Sequence, residues 1–228
     1  MPNNPVKQLG MFGQSVWLDY IRRDLLESGE LKRMIAADGL KGMTSNPAIF
    51  EKAIAESSVY DADIAALSKK GMNAKEIYEE ISQKDVQAAA HEFRPLYESA
   101  GGGDGYVSLE VNPRLAHDTK GTIEEARRLW ADVNSPNIMI KVPGTAEGLP
   151  AIKQLITDGI NVNVTLLFGL PRYRQVAQAY IEGIEERLAL GEPVNKVSSV
   201  ASFFLSRIDK LVDPMLEKSL GSDLAYSL

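Results

Sequence analysis

The chain has no cysteine and only two histidines, His91 and His117. Disulfides and thiolate metal sites are thereby excluded, and so is a metal centre built on several imidazoles. No apolar run approaches the ~20 residues a membrane helix needs. The first ten residues include Pro2, Asn3, Asn4 and Pro5 and lack the apolar stretch of a secretion signal. Lysines and arginines are scattered over a chain of net charge -6, with no basic stripe, which argues against a nucleic-acid partner. A soluble cytoplasmic protein is the expectation, with no membrane and no nucleic acid among its partners. A homo-oligomer stays open.

What is present is a chain of 228 residues, 44% of them hydrophobic, enough for one large domain over residues 1–228. Short apolar runs alternate with longer helical patterns. The strand candidates are residues 15–19, 40–46, 106–111, 138–142, 161–168 and 197–204. Thr122 with Glu125 reads as a capping box opening a helix over residues 123–133. Thr145 can cap a helix that ends near Asp158 and stops at Gly159. Pro171 suits a first helical turn, and that helix runs to Leu190 before Gly191. After Phe204, residues 205–220 read as one helix despite Pro214. This alternation is the order of a parallel α/β fold. Residues 51–100 break the rhythm and read as a helical insertion after the second strand, with Ile77, Ile81, Ala89, Phe93 and Leu96 at helical spacing. The glycine-rich stretch 101–105 leaves a helix and enters a strand, the reverse of a phosphate loop, so it reads as a flexible connector.

A strand buried on both faces should be almost continuously apolar. These strands carry polar residues in alternation. Ile138, Ile140 and Val142 oppose Met139 and Lys141; Val107, Leu109 and Val111 oppose Ser108 and Glu110. Val162, Val164 and Leu166 oppose Asn161, Asn163 and Thr165. Trp17 and Asp19 share a face, Asn46 ends the second strand, and Ser198, Val200 and Ser202 share a face of the sixth. In a (β/α) barrel one face of each strand meets helices and the other the axis, so polar residues near the strand ends converge. Asp19, Asn46, Glu110, Lys141, Asn163, Thr165 and Ser202 would then surround one small pocket.

Each residue alone has a plainer reading. Lys141 could reach solvent from an edge strand, Glu110 could serve an ion pair, and Asp19 could open the next helix. Asn46-Pro47 is ordinary turn chemistry, and Ser202 could be a small core residue. His91 suits an amphipathic helix and has no assigned role; His117 reads as structural. Phe203 and Phe204 suit the core, though one could edge the pocket. Taken together, a lysine on a doubly buried strand loses charge through desolvation, and a neutral amine is the nucleophile that attacks a carbonyl. Glu110, on the matching face of the preceding strand, could shuttle protons through a water.

The ordered segments 42–47 (GMTSNP), 107–111 (VSLEV), 138–143 (IMIKVP), 161–168 (NVNVTLLF) and 202–207 (SFFLSR) resemble the transaldolase family. Residues 42–50 and 141–145 are most similar to the longer bacterial type, some members of which are fused to phosphoglucose isomerase. The resemblance implies a class I aldolase (β/α)8 barrel acting in the pentose phosphate pathway. Lys141 would form a Schiff base with the ketose C2 carbonyl. Glu110, with a water held by Thr165, would serve proton transfer, and Asp19 would take the C4 hydroxyl proton. Asn46 and Asn163 would bind hydroxyls of the dihydroxyacetone unit. Ser202 and Phe204 would line the substrate site, and Arg207 would hold the phosphate with its forked donors. An Arg207 ion pair with Asp209 or Glu217 is the plainer alternative. The family moves a dihydroxyacetone unit from sedoheptulose 7-phosphate to glyceraldehyde 3-phosphate, giving erythrose 4-phosphate and fructose 6-phosphate, and implies no metal or organic cofactor. Six strand candidates against the eight of a closed barrel imply an incomplete barrel, shortened at its C-terminus, with activity in doubt. A fructose 6-phosphate aldolase and a non-catalytic sugar-phosphate-binding remnant are the alternatives.

Overall fold

The computed structural model describes residues 4–219. Six strands form one sheet in sequential order: β1 (Trp17–Asp19), β2 (Gly42–Thr44), β3 (Tyr106–Glu110), β4 (Ile138–Pro143), β5 (Val162–Leu167) and β6 (Ser199–Phe203). Every neighbouring pair is parallel. Parallel neighbours need a crossover, and helices supply each one. A short turn of helix, α1 (Pro5–Gln8), precedes β1; α2 (Arg23–Glu27) and α3 (Glu30–Arg33) lead to β2. Next come α4 (Pro47–Ala55), α5 (Asp61–Lys69) and α6 (Ala74–Ser99), all between β2 and β3. Single crossovers follow: α7 (Thr119–Val133), α8 (Gly148–Thr157) and α9 (Leu170–Ala189), with α10 (Leu205–Ser219) after β6. All six strand candidates are present; five are a little shorter than their apolar runs, and β4 extends one residue further, to Pro143.

The sheet curls into a half-barrel. Side chains on its concave face reach over intervening strands: Lys141 of β4 touches the chain just after β2, Asn163 of β5 touches Ser108 of β3, and Tyr106 of β3 meets Ser198 at the entry to β6. The convex face is apolar. Val107, Leu109, Ile138, Ile140, Val142, Val162 and Val164 are all buried there and pack against the helices. Each such side chain contributes about 1.5–3 kcal/mol through removal from water. β1 and β6 are the edges of the sheet, and among the described residues there is no seventh strand.

The three helices after β2, with Tyr60 from the turn between α4 and α5, build a small core of their own from Ala53, Tyr60, Leu67, Ile77 and Ile81. Ile77, Ile81, Ala89 and Phe93 are buried at the expected helical spacing. The stretch is interrupted, however, between α4, α5 and α6, the last opened by a capping box of Asn73 and Glu76.

Three local expectations are corrected. The seventh helix starts at Thr119, capped by Asp118, whose carboxylate accepts from Gly121 N–H at 2.9 Å. Thr122 is inside it, donating to the Leu115 carbonyl at 3.0 Å, and Glu125 accepts from Asn112 N–H at 2.7 Å. An aspartate cap one turn earlier outcompetes the threonine because it satisfies a first-turn donor directly. Leu166 leaves the apolar face on which strict alternation puts it. It adopts φ 62, the register between β5 and β6 shifts there, and Leu167 is the buried residue instead. This is a bulge, which restarts the alternation one residue later. Finally, stretch 101–105 is a bonded turn rather than a loose connector: Gly102 and Gly103 donate back to Tyr97 and Ala100, and Gly105 donates to Lys41 across the sheet. Gly105 needs its glycine, since φ is +85 and a Cβ would lie 2.6 Å from the Tyr97 nitrogen.

Other expectations hold. Thr145 accepts from Gly148 N–H at the start of α8, Gly159 follows that helix with φ +86, and Pro171 sits in the first turn of α9. α10 passes through Pro214 without a break.

Candidate active site

β4 is buried throughout, and alternation turns Lys141 to the concave face. Its side chain is only 6% exposed. The β3–β4 register pairs Glu110 with Lys141, and Glu110 Oε2 lies 3.1 Å from Lys141 Nζ. The same amine donates to the Ser45 carbonyl at 3.1 Å. A lysine this buried is tolerated only because a carboxylate and a carbonyl meet its donors.

A polar lattice extends from this pair. Ser108, fully buried on β3, accepts at its carbonyl from the Ser45 hydroxyl at 2.7 Å and at its hydroxyl from Asn163 Nδ2 at 3.1 Å. Asn163 is the register partner of Lys141 on β5, and its carbonyl oxygen accepts from the Ser202 hydroxyl at 2.7 Å. Thr165 lies two residues along on the same face, 1% exposed and opposite Pro143. Lys141 thus touches Glu110, Asn163 touches Ser202, and Ser45 and Ser108 together link the two pairs. Burial, and then the nearby Glu110 carboxylate, raise the Tyr78 hydroxyl's proton affinity, so a neutral phenol borders Glu110.

Asp19 ends β1, exposed, and accepts from the Thr44 hydroxyl at 2.6 Å. The β1–β2 and β2–β3 registers set it level with Thr44 and Ser108. Asn46 caps α4 through a bond from Ile49 N–H at 3.0 Å, so its side-chain oxygen serves the backbone. Phe204 and Arg207 form a separate cluster at the end of β6. The Phe204 ring meets Phe168 edge-on at 5.5 Å, and the Arg207 guanidinium lies 4.3 Å from the Phe204 ring centre. Among the described residues no carboxylate pairs with Arg207, and the ion pairs to Asp209 and Glu217 are not formed. His91 is exposed on α6, and His117 is exposed and faces Glu147 at 3.2 Å.

Sequence reasoning put Ser108 on the right face but gave it no part in the site. Ser45 carried no signal for its contact with Lys141, which uses its backbone carbonyl.

Parallel strands whose polar residues gather around a buried lysine on the concave face define the α/β barrel class. The chain belongs to the transaldolase/fructose-6-phosphate aldolase family, whose model matches residues 16–226. It is 51% identical over 220 residues to a transaldolase of Trichodesmium erythraeum, covering 96% of this chain and 58% of that protein. It is 50% identical over 209 residues to transaldolase 2 of Nostoc punctiforme, covering 92% and 55%. With a transaldolase of Thiobacillus denitrificans it shares 47% identity over 225 residues, 99% and 62% of the two chains. The chain therefore spans less than two thirds of the length of these relatives.

Proposed function

We propose that the chain carries the catalytic centre of a transaldolase, with Lys141 as the Schiff-base nucleophile. The observation that carries this reading is the buried Lys141 amine held 3.1 Å from the Glu110 carboxylate. That contact supplies a proton acceptor at the nucleophile itself, as general base catalysis requires.

In this reading Lys141 attacks the C2 carbonyl of the ketose, and Glu110, through a water held by Thr165, moves protons as the carbinolamine forms and loses water. Asp19 takes the C4 hydroxyl proton, the C3–C4 bond breaks, and the iminium accepts the electron pair. The aldehyde leaves and an acceptor aldehyde takes its place. Asn163 and Asn46 bind hydroxyls of the retained three-carbon unit; for Asn46 this requires its nitrogen, since its oxygen caps α4. Ser202 and Phe204 line the substrate site, and Arg207 binds phosphate. Sedoheptulose 7-phosphate and glyceraldehyde 3-phosphate are the proposed donor and acceptor, within the pentose phosphate pathway and the cytoplasm. Residues 1–228 act as one barrel domain, with 51–100 as its helical insertion.

No described helix is long and apolar enough to cross a membrane. The test is reduction with borohydride in the presence of fructose 6-phosphate, read by peptide mass spectrometry. A reduced adduct on Lys141, absent from Lys141→Met, is the expected result. An adduct that persists in Lys141→Met overturns the assignment. Product analysis with and without an acceptor aldehyde separates transfer from release of free dihydroxyacetone.

A further inference from the structure

Ser45 lies between two regular elements and belongs to neither. The β2 ladder ends at Thr44, and the first helical bond of α4 runs from Phe50 N–H to the Asn46 carbonyl. The Ser45 carbonyl is therefore left over from both backbone patterns, and a fully buried residue cannot leave it to water. Lys141 Nζ satisfies it at 3.1 Å.

The geometry at Nζ then has a consequence for reactivity. A neutral primary amine has two N–H bonds and one lone pair. One N–H faces the Ser45 carbonyl and the other faces Glu110 Oε2, each at 3.1 Å. Two fixed acceptors stop rotation about the Cε–Nζ bond and leave the lone pair the remaining tetrahedral direction. We propose that the Ser45 carbonyl is a positioning group that, together with Glu110, aims the lone pair of Lys141 at the substrate carbonyl. This rests on the reading of Lys141 as the nucleophile.

The two acceptors divide the work. As Nζ bonds to the carbonyl carbon, the C=O π pair moves to oxygen, which gains a proton, and nitrogen sheds one. Glu110 can receive that proton; a peptide carbonyl cannot, so Ser45 only orients. Orientation demands that the carbonyl itself be rigid. The Ser45 hydroxyl provides this by donating to the Ser108 carbonyl at 2.7 Å, and Ser108 is in turn held by Asn163 and, through it, Ser202. On the other side, Asn46 caps α4 and fixes the next peptide unit. The Ser45 hydroxyl is thus a positioning element that touches neither the amine nor the substrate.

The test uses dihydroxyacetone and cyanoborohydride on the 228-residue chain, with the Lys141 adduct quantified by peptide mass spectrometry between about pH 6 and 10. Loss of alignment without loss of the base should lower the plateau rate and spare the pH midpoint. Ser45→Ala is expected to trap about tenfold more slowly at the plateau, and Ser45→Thr, which keeps the hydroxyl, within about twofold of the parent. Should Ser45→Ala fail to fold, Ser45→Cys keeps the volume with a much weaker donor and is read the same way. A plateau equal to the parent's in the folded Ala or Cys variant overturns the proposal. So does a shifted midpoint with an unchanged plateau, which would assign Ser45 to proton affinity instead. No Lys141 adduct in the parent overturns the nucleophile reading and this inference together, whereas a parental adduct insensitive to Ser45 overturns this inference alone.

Discussion

Glu110 and Lys141 are register partners on β3 and β4, and their side chains meet at 3.1 Å on the concave face of the sheet. Parallel pairing puts residues of equal phase on the same side, so two polar residues on adjacent apolar strands had to meet once the register was fixed. Asp19 stands apart, at the exposed end of β1 with the Thr44 hydroxyl as its partner. The separation bears on what each carboxylate does.

Glu110→Gln and Asp19→Ala are expected to fail at different steps. Glu110→Gln should slow formation of the trapped Schiff base. Asp19→Ala should form it and let it accumulate, because carbon–carbon cleavage loses its base. Each step should slow by about 10²–10⁴-fold. Single-turnover trapping distinguishes them, and identical time courses would refute the division.

Arg207→Ala should weaken binding of phosphorylated donors and leave trapping by free dihydroxyacetone nearly unchanged. The guanidinium rests on Phe204 and is neutralised by no carboxylate among the described residues, so its charge is available to an anion. Equal losses with phosphorylated and unphosphorylated donors would contradict a phosphate role.

Leu166→Gly should stabilise the fold. Leu166 holds φ 62 and is 42% exposed, so glycine relieves left-handed strain and gives up only the contacts of a partly exposed side chain. The gain should be about 0.5–1 kcal/mol in urea unfolding, the strain relieved less the added backbone entropy of glycine. A loss of stability would mean that the Leu166 side chain contributes more than its backbone costs.

Arg23→Met should cost about 3–5 kcal/mol, because it strips the cation from a buried carboxylate. Asp85 is 2% exposed and held by Arg23 at 2.8 Å and by the Tyr60 hydroxyl at 2.8 Å. Burial already pushes the Asp85 carboxyl up, against the pull of those two bonds. A carboxyl raised above its unfolded value of about 3.9 binds its proton more tightly in the folded state. Its contribution is complete below that unfolded value and is lost as pH rises through the folded one. Without Arg23 the carboxyl rises further, so the variant's deficit should be smaller at pH ~4 than at pH ~7. Unfolding midpoints at the two pH values check this, and a deficit independent of pH would count against it.

The apolar runs and their period of two determined the six parallel strands, the apolar face of each and the side on which Lys141, Glu110, Asn163 and Thr165 stand. Those features are local: a buried strand needs β-branched residues on the helix side, and a polar residue at alternate positions has only one other side to occupy. The tertiary structure decided what local pattern cannot encode. Leu166 leaves the alternation because the ladder to β6 shifts there. Asp118 displaces Thr122 as a cap, and Arg23 finds Asp85 across 62 residues of sequence. Ser45 meets Lys141 through a carbonyl that every residue possesses, and only the packing of β4 beside the β2–α4 junction brings an amine to it. A side chain's face is written in its neighbours along the chain; its partner is set by which strands the fold lays side by side, and by how far the sheet curls to close the distance.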